Sequence, residues 1–378
     1  MDIADFNAAL AAQNAGRLEE AERLYRAILA QKDHLPSLHN LGVLLERTGR
    51  LGDADTVYRH AARMAPDNPQ PQLALANHYR VTRQFPQAEA AYRRALELAP
   101  DNQDAAFDLA HVLLAMGQYA EGWRLYGLRP PRVKFMANRL TFPEWRGEPL
   151  DGKSLFIWRE QGFGDQIMMA RFLSMLGAAR ITYTGPASLR RLFQHLPVDF
   201  VEAKPDRNDI AKHDYWTLPL SLPDRLGINA KNLPAEPYLF GEPVKSTARI
   251  GVVWRGEARN VNNPFRSMPE DVAARLLALP GAISLDPADT GAADFQATAD
   301  IIAGLDLVIS VDTAAAHLAG AMGRPVWVLL GKHALDWQWP REASAPWYPT
   351  ARLFVQPRPG DWAALVDIVV QEALRELS

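Results

Sequence analysis

Three short stretches carry residue types that can do chemistry together. The first is Glu160-Gln161-Gly162-Phe163-Gly164-Asp165. Its glycines let the backbone turn sharply and let a substrate come close. Asp165 stands at the start of a predicted helix, where it can act as general base toward an acceptor hydroxyl. An Asp in that place also commonly caps its own helix, so both roles stay open. Gln161, Gly162 and Gly164 are the candidate acceptor-side loop. The glycine pair alone falls short of a dinucleotide fingerprint, which needs a third glycine.

The second stretch follows a predicted strand at 249–254 and offers Arg255 and Arg266. Two guanidinium groups at a strand's carboxyl end can neutralise a diphosphate leaving group, because their forks match phosphate oxygens in pairs. The alternative is a solvated loop rich in Arg and Asn. Ser267 is grouped with these arginines on the donor side, and Ser267-Met268-Pro269-Glu270 also has capping-box spacing.

The third stretch is Asp312-Thr313-Ala314 with His317. Thr313 and His317 are four residues apart and share one helix face. Backbone N–H groups at a helix start suit a phosphate, and Asp312 can accept hydrogen bonds from sugar hydroxyls. The plainer reading makes Asp312 an N-cap and His317 a packing residue. One His beside Asp and Thr is no metal constellation, and no HExxH, Walker A or GxSxG sequence occurs. No metal ligand set and no resident cofactor are therefore expected. Further on, Trp337 and Trp339 in the run 336–340, with Trp347 and Tyr348, present flat rings that can stack on a base or sugar. Large aromatics are as readily buried packing.

These groups need elements to position them. From Asp151 onward short strands alternate with helices, which predicts a parallel sheet covered on both faces. Strands are expected at 154–159, 181–184, 249–254, 283–285, 307–311 and 326–330. Helices are expected at 165–176, from Ser267 to about 279, at 294–304 and at 362–377. The three candidate stretches then fall at carboxyl ends of strands, where open α/β sheets bind ligands. Two Rossmann-like halves, 151–243 and 248–378, would face a cleft that holds the ligands.

The first 126 residues repeat instead. Leu41, Leu75 and Leu109 are spaced by 34, as are Tyr58, Tyr92 and Tyr126, and Ala54, Ala88 and Gly122. Ala61 matches Ala95, and Pro66 matches Pro100. This is the tetratricopeptide period and pattern. It comprises three full repeats, counting an earlier copy through Ala21 and Tyr25, and a fourth that trails off near Tyr126. Such helix pairs stack into a superhelix with a concave face, which suits an extended protein or peptide; a spacer or homodimer contact is the other reading. Residues 127–150 lose the helical period and read as a Pro-punctuated connector, with Trp145 as its anchor.

Composition narrows the class. The 378 residues include no cysteine, which excludes disulfides and thiolate catalysis. A net charge of -3 gives no reason to expect nucleic acid as partner. No apolar run is long enough to span a bilayer. The start MDIADFNAAL lacks the layout of a signal peptide, so a cytoplasmic location is expected.

With these motifs in hand, Ile309 to Thr313, His317 to Gly320 and Gly323-Arg324-Pro325 resemble the carboxy-terminal motif of heptosyltransferase-like glycosyltransferases. The loop from Glu160 to Asp165 resembles that family's amino-terminal Gly-Asp motif. Arg266 to Pro269, and the stretch from Asp336-Trp337 through Pro346-Trp347-Tyr348-Pro349, resemble bacterial proteins that fuse tetratricopeptide repeats to such a domain. The resemblance implies a GT-B fold and metal-independent transfer from a nucleotide-sugar donor. It implies a donor side in 248–378 with contacts at Asp312, Thr313 and His317, an acceptor side in 151–243 with Asp165 as base, and help with the diphosphate from Arg255 or Arg266. Ala314, Ala315 and Ala316 depart from the glycine, proline and methionine usual there, which leaves the sugar open. The expected acceptor is a protein held by the repeats. The alternative is a non-catalytic repeat scaffold with a silent GT-B domain.

Overall fold

The computed structural model describes residues 3–130, 132, 140–177, 180–202, 213–256, 263–332, 337–339 and 344–376. Several expectations fall outside this set: the Arg- and Asn-rich loop at 257–262, Pro131 in the connector, Asp336 and Pro340 in the tryptophan-rich run, and Leu377. The chain divides into two compact units, Met1–Met116 and Gly117–Ser378.

The first unit is built of α1 (Ile3–Asn14), α2 (Leu18–Gln31), α3 (Leu35–Arg47), α4 (Leu51–Met64), α5 (Pro69–Val81), α6 (Phe85–Leu98) and α7 (Gln103–Ala115). The starts of α3, α5 and α7 recur every 34 residues, as the sequence period requires. Each of these three starts is capped by a side chain. His34 accepts from the N–H of Ser37, Asn68 from that of Gln70, and Asn102 from that of Ala105. Small residues line the seam within a pair because a tyrosine from the second helix lies across it. Ala54, Ala61, Ala88 and Ala95 are buried together with Tyr58 and Tyr92. Gly42 is the tightest point: a Cβ there would lie 2.5 Å from the Tyr58 ring.

The second unit begins with α8 (Tyr119–Tyr126). The repeat pattern runs through this helix, yet its buried Trp123 packs among aromatic side chains of the second unit. Next come β1 (Ser154–Ile157), β2 (Arg180–Gly185), β3 (Asp199–Glu202) and β4 (Tyr215–Thr217). They form a parallel sheet in the order β3-β2-β1-β4. The connector joins this sheet's edge: Glu144 bridges Trp216, the Trp145 N–H donates to the Trp216 carbonyl at 2.8 Å, and the Trp145 indole is buried. A second sheet holds β5 (Ile250–Val253), β6 (Ala282–Ser284), β7 (Leu307–Val311), β8 (Val326–Leu330), β9 (Ser344–Ala345) and β10 (Tyr348–Val355). Its order is β6-β5-β7-β8-β10-β9, with only β9 antiparallel. The fold class is therefore helical repeats followed by a parallel-sheet α/β region.

Both sheets change winding direction inside. Successive strands depart on opposite sides of β1 in the first sheet and of β5 and β7 in the second. In open sheets of this kind ligands bind outside the carboxyl ends where strand order reverses. The segment after the first sheet already packs on the second sheet's helices: the N–H groups of Tyr238 and Leu239 donate to the Ala321 carbonyl. Among the described residues no helix is long and apolar enough to cross a membrane.

The repeat seam gives a paired test. Alanine normally stabilises a helix relative to glycine, and Gly52 in α4 has open space around it. Gly52→Ala is expected to raise unfolding stability by up to about 1 kcal/mol. Gly42→Ala is expected to lower it by about 1–3 kcal/mol through the Tyr58 clash. Urea denaturation of the two variants checks the opposite signs.

Candidate active site

The loop after β1 is held in an unusual shape. The Arg159 N–H donates to Thr184 Oγ1 at 2.9 Å and the Trp158 N–H to the Thr217 carbonyl at 3.0 Å. Gln161 then takes φ +59°, the left-handed region that a non-glycine residue enters only at a cost. The helix Phe163–Met169 follows, and the Gly162 N–H donates to Asp165 Oδ2 at 3.1 Å. Asp165 thus closes the start of its own helix. The same helix start favours its negative charge. The sequence expected one helix through 176; the chain instead tightens to a 3₁₀ turn over Ala170–Leu176.

Gly164 determines how near the second sheet's helices can come. A Cβ at Gly164 would lie 2.7 Å from His317 Cδ2. His317 belongs to the helix Ala314–Ala321, which follows β7. Two candidate stretches, 145 or more residues apart in sequence, therefore meet side by side. Phe163 adds a ring contact with Phe295 at 5.0 Å, and Arg191 pairs with Asp294 at 3.1 Å. Arg171, buried, donates to the carbonyls of Pro234 and Trp347, each at 2.9 Å, and lies over the rings of Tyr238, Trp347 and Tyr348.

The donor-side groups form one buried network. Asp312 Oδ1 accepts from the Trp339 indole N–H at 2.8 Å, and Oδ2 lies 3.3 Å from Arg266 Nη2. His317 shares a 3.1 Å hydrogen bond between Nδ1 and the Tyr348 hydroxyl, and its ring lies 5.0 Å from the Trp339 ring. Burial pushes the His317 imidazole down to about 4; Arg171 and Arg266 act the same way and Asp312 opposes them. His317 is thus neutral near pH 7, and its 3.9 Å approach to Asp312 is not an ion pair there. The helix start itself faces outward. Thr313, Ala314 and Ala315 are partly exposed, whereas Ala316 and His317 are buried. Thr313 occupies the N-cap with extended backbone and no side-chain cap, its Oγ1 instead lying 3.0 Å from Ser310 Oγ. The Ala316 and His317 N–H groups donate to the Thr313 carbonyl at 3.1 and 3.3 Å, whereas those of Ala314 and Ala315 lie ahead of the helix's own hydrogen-bond ladder.

Other candidates are placed differently. Arg255 is half-exposed and pairs with Asp286 at 2.7 Å and Glu270 at 3.4 Å. Ser267 does not form the expected capping box. Its helix is Glu270–Leu277 with Pro269 as N-cap. The Met268 N–H is tied to the Trp254 carbonyl at 2.9 Å, which keeps that residue out of the helix. The Ser267 hydroxyl instead lies 2.6 Å from Asn263 Oδ1 and accepts from the Gly256 N–H. Trp337 and Trp339 offer no open stacking face here, since both rings are buried. Trp337 packs edge-on against Trp123 at 5.0 Å and Trp347 at 5.2 Å.

Sequence reasoning missed Arg129 and Arg171, gave Glu160 no role of its own within the first stretch, and read Tyr348 only as a stacking ring. Each acts through a partner far along the chain, and spacing within a motif gives no signal of that kind.

A group neutral in the fold but protonated in the unfolded chain stabilises most above the unfolded pKa, and that contribution is lost as pH falls toward the folded one. Because the His317 pKa is lowered, wild type is expected to lose stability between about pH 6.5 and 4. The melting temperature of His317→Asn is expected to fall less steeply over that window, though it starts lower at pH 7.5. Thermal melts of both proteins across the window check this.

Comparison with known proteins agrees with this layout. Residues 6–69 and 82–125 match tetratricopeptide-repeat family models. Residues 290–351, which span Asp312, His317 and Trp339, match the model for glycosyltransferase family 9 (heptosyltransferase). Protein FlbA of Caulobacter vibrioides is 26% identical over an alignment of 439 residues, covering 98% of this chain and 72% of that protein. The crystal structure of MamA is 19% identical, with a TM-score of 0.32, over 34% of this chain and 72% of its own. YrrB, described as a TPR protein with an unusual peptide-binding site, is also 19% identical, with a TM-score of 0.32, over 36% of this chain and 71% of its own. The chain thus carries tetratricopeptide repeats in its N-terminal part and a glycosyltransferase family 9 (heptosyltransferase) region in its C-terminal part.

Proposed function

We propose that the second unit is a GT-B-type transferase moving a sugar from a nucleotide-sugar donor to a hydroxyl of a protein acceptor held by the repeats. The observation that carries this reading is the contact of Gly164 with His317. It brings the helix start bearing Asp165 beside the helix whose outward first turn suits a diphosphate. In this scheme Asp165 takes the proton of the acceptor hydroxyl as its oxygen bonds the anomeric carbon. The bond from that carbon to the diphosphate breaks, and the leaving group carries the electron pair. The N–H groups of Ala314 and Ala315, with Arg266, meet the charge that develops there.

Asp312 is assigned a different part from a direct sugar ligand. Its two carboxylate oxygens face the Trp339 N–H and the Arg266 guanidinium, so it fixes the direction of Arg266. Arg255, engaged with Asp286 and Glu270, is the weaker candidate for the diphosphate. No metal ion or cofactor is assigned a step. The proposed setting is the cytoplasm, where nucleotide sugars are available.

The test is turnover on a panel of UDP-, ADP-, GDP- and CMP-sugars, with wild type beside Asp165→Asn. Asn can still accept the Gly162 N–H and cap the helix. One sugar nucleotide is expected to be consumed, with kcat of the variant down by at least about 100-fold and donor KM nearly unchanged. Consumption of none would favour the non-catalytic scaffold. A variant as fast as wild type would remove Asp165 as base.

A further inference from the structure

We propose that Arg129 is a positioning residue of the acceptor-side loop, acting through Glu160; this rests on the transferase reading above. Glu160 immediately precedes Gln161, and its side chain is buried against Arg129. Arg129 grips it with both faces of its guanidinium fork: Nε donates to Oε2 at 2.9 Å and Nη2 to Oε1 at 2.6 Å. Oε1 also accepts from the Leu220 N–H at 2.9 Å, just past β4. Arg129 in turn donates to Ser221 Oγ at 3.0 Å and to the Tyr126 carbonyl at the end of α8, at 3.2 Å. The Arg129 side chain is fully buried and that of Glu160 is 6% exposed.

This arrangement has a purpose beyond cohesion. A two-pronged Arg–carboxylate pair fixes direction as well as distance. Buried ion pairs are weak sources of net stability, and apolar replacement of both partners is often neutral. What the pair does fix is the residue before a left-handed Gln161. A strained backbone of that kind persists only where its surroundings hold it. Releasing Glu160 lets Gln161 relax, and the Gly162–Asp165 cap then swings with it. Arg129 and Glu160 would touch neither donor nor acceptor; they would set where Asp165 stands.

The experiment uses the full chain with both partners replaced, Arg129→Met with Glu160→Gln, so that no charge is left buried alone. Melting temperature is expected to stay within a few degrees of wild type. With the sugar nucleotide that wild type consumes, kcat is expected to fall at least about tenfold at nearly constant donor KM. Amides in the peptide covering 160–165 are expected to exchange with deuterium faster. Adding Gln161→Gly, which adopts positive φ without that cost, is expected to restore about fivefold of the lost rate. Wild-type turnover with unchanged kcat and unchanged loop exchange in the double variant would overturn the proposal. So would a rate loss that tracks a matching drop in melting temperature and gains nothing from Gln161→Gly. If wild type consumes no sugar nucleotide, the transferase reading fails, and loop exchange alone then decides whether Arg129 fixes the loop.

Discussion

The site depends on one close approach, the backbone of Gly164 against the imidazole of His317. No side chain larger than a hydrogen fits between them, since a methyl would sit 2.7 Å from the ring. The contact fixes the spacing of two helices that belong to different sheets. It also explains why His317 is buried and neutral rather than a charged ligand. A protonated ring there would lack water on one side and face Arg171 and Arg266 within its electrostatic surroundings. Packing, not hydrogen bonding, sets how near these two helices come, and the polar groups arrange themselves within that limit.

Around this contact each polar side chain aims another. Trp339 aims Asp312, Asp312 aims Arg266, and Tyr348 holds His317. On the facing side the Gly162 N–H and Asp165 close one helix start. Tyr348 has little freedom of its own, because Gly320 passes so close that a Cβ would lie 2.5 Å from its ring. Preorganised dipoles of this kind cost no reorganisation when charge develops on a leaving group. The accessible remainder includes the first turn at Thr313–Ala315 and the loop and helix start from Gln161 to Asp165.

How much the sequence revealed depended on whether the signal was local. Leu307–Val311 and Val326–Leu330 were legible to the residue, because strands of a buried parallel sheet read as unbroken apolar runs. The 34-residue spacing located the repeat helices for the same reason. It also carried the repeat through Tyr119–Tyr126, in agreement with the family match to residue 125, although Trp123 packs that helix within the second unit. The capping box at Ser267 failed because a backbone bond from Met268 to Trp254 overrides the local pattern. Trp337 and Trp339 have the composition of a stacking platform, and only their neighbours show that they are packing. The Arg129–Glu160 pair spans 31 residues and leaves no mark in spacing at all.

The central claim is that the helix start at Thr313 to Ala315 receives a nucleoside diphosphate. Calorimetric titration of UDP, ADP, GDP and CDP into wild type and Thr313→Glu tests it most directly. A glutamate at a helix start is favourable to the helix itself, so the fold is retained while a second anion is repelled. The expected result is saturable binding of at least one diphosphate to wild type, weakened at least about tenfold in the variant. Binding to none of the four, or equal binding to both proteins, would contradict the account.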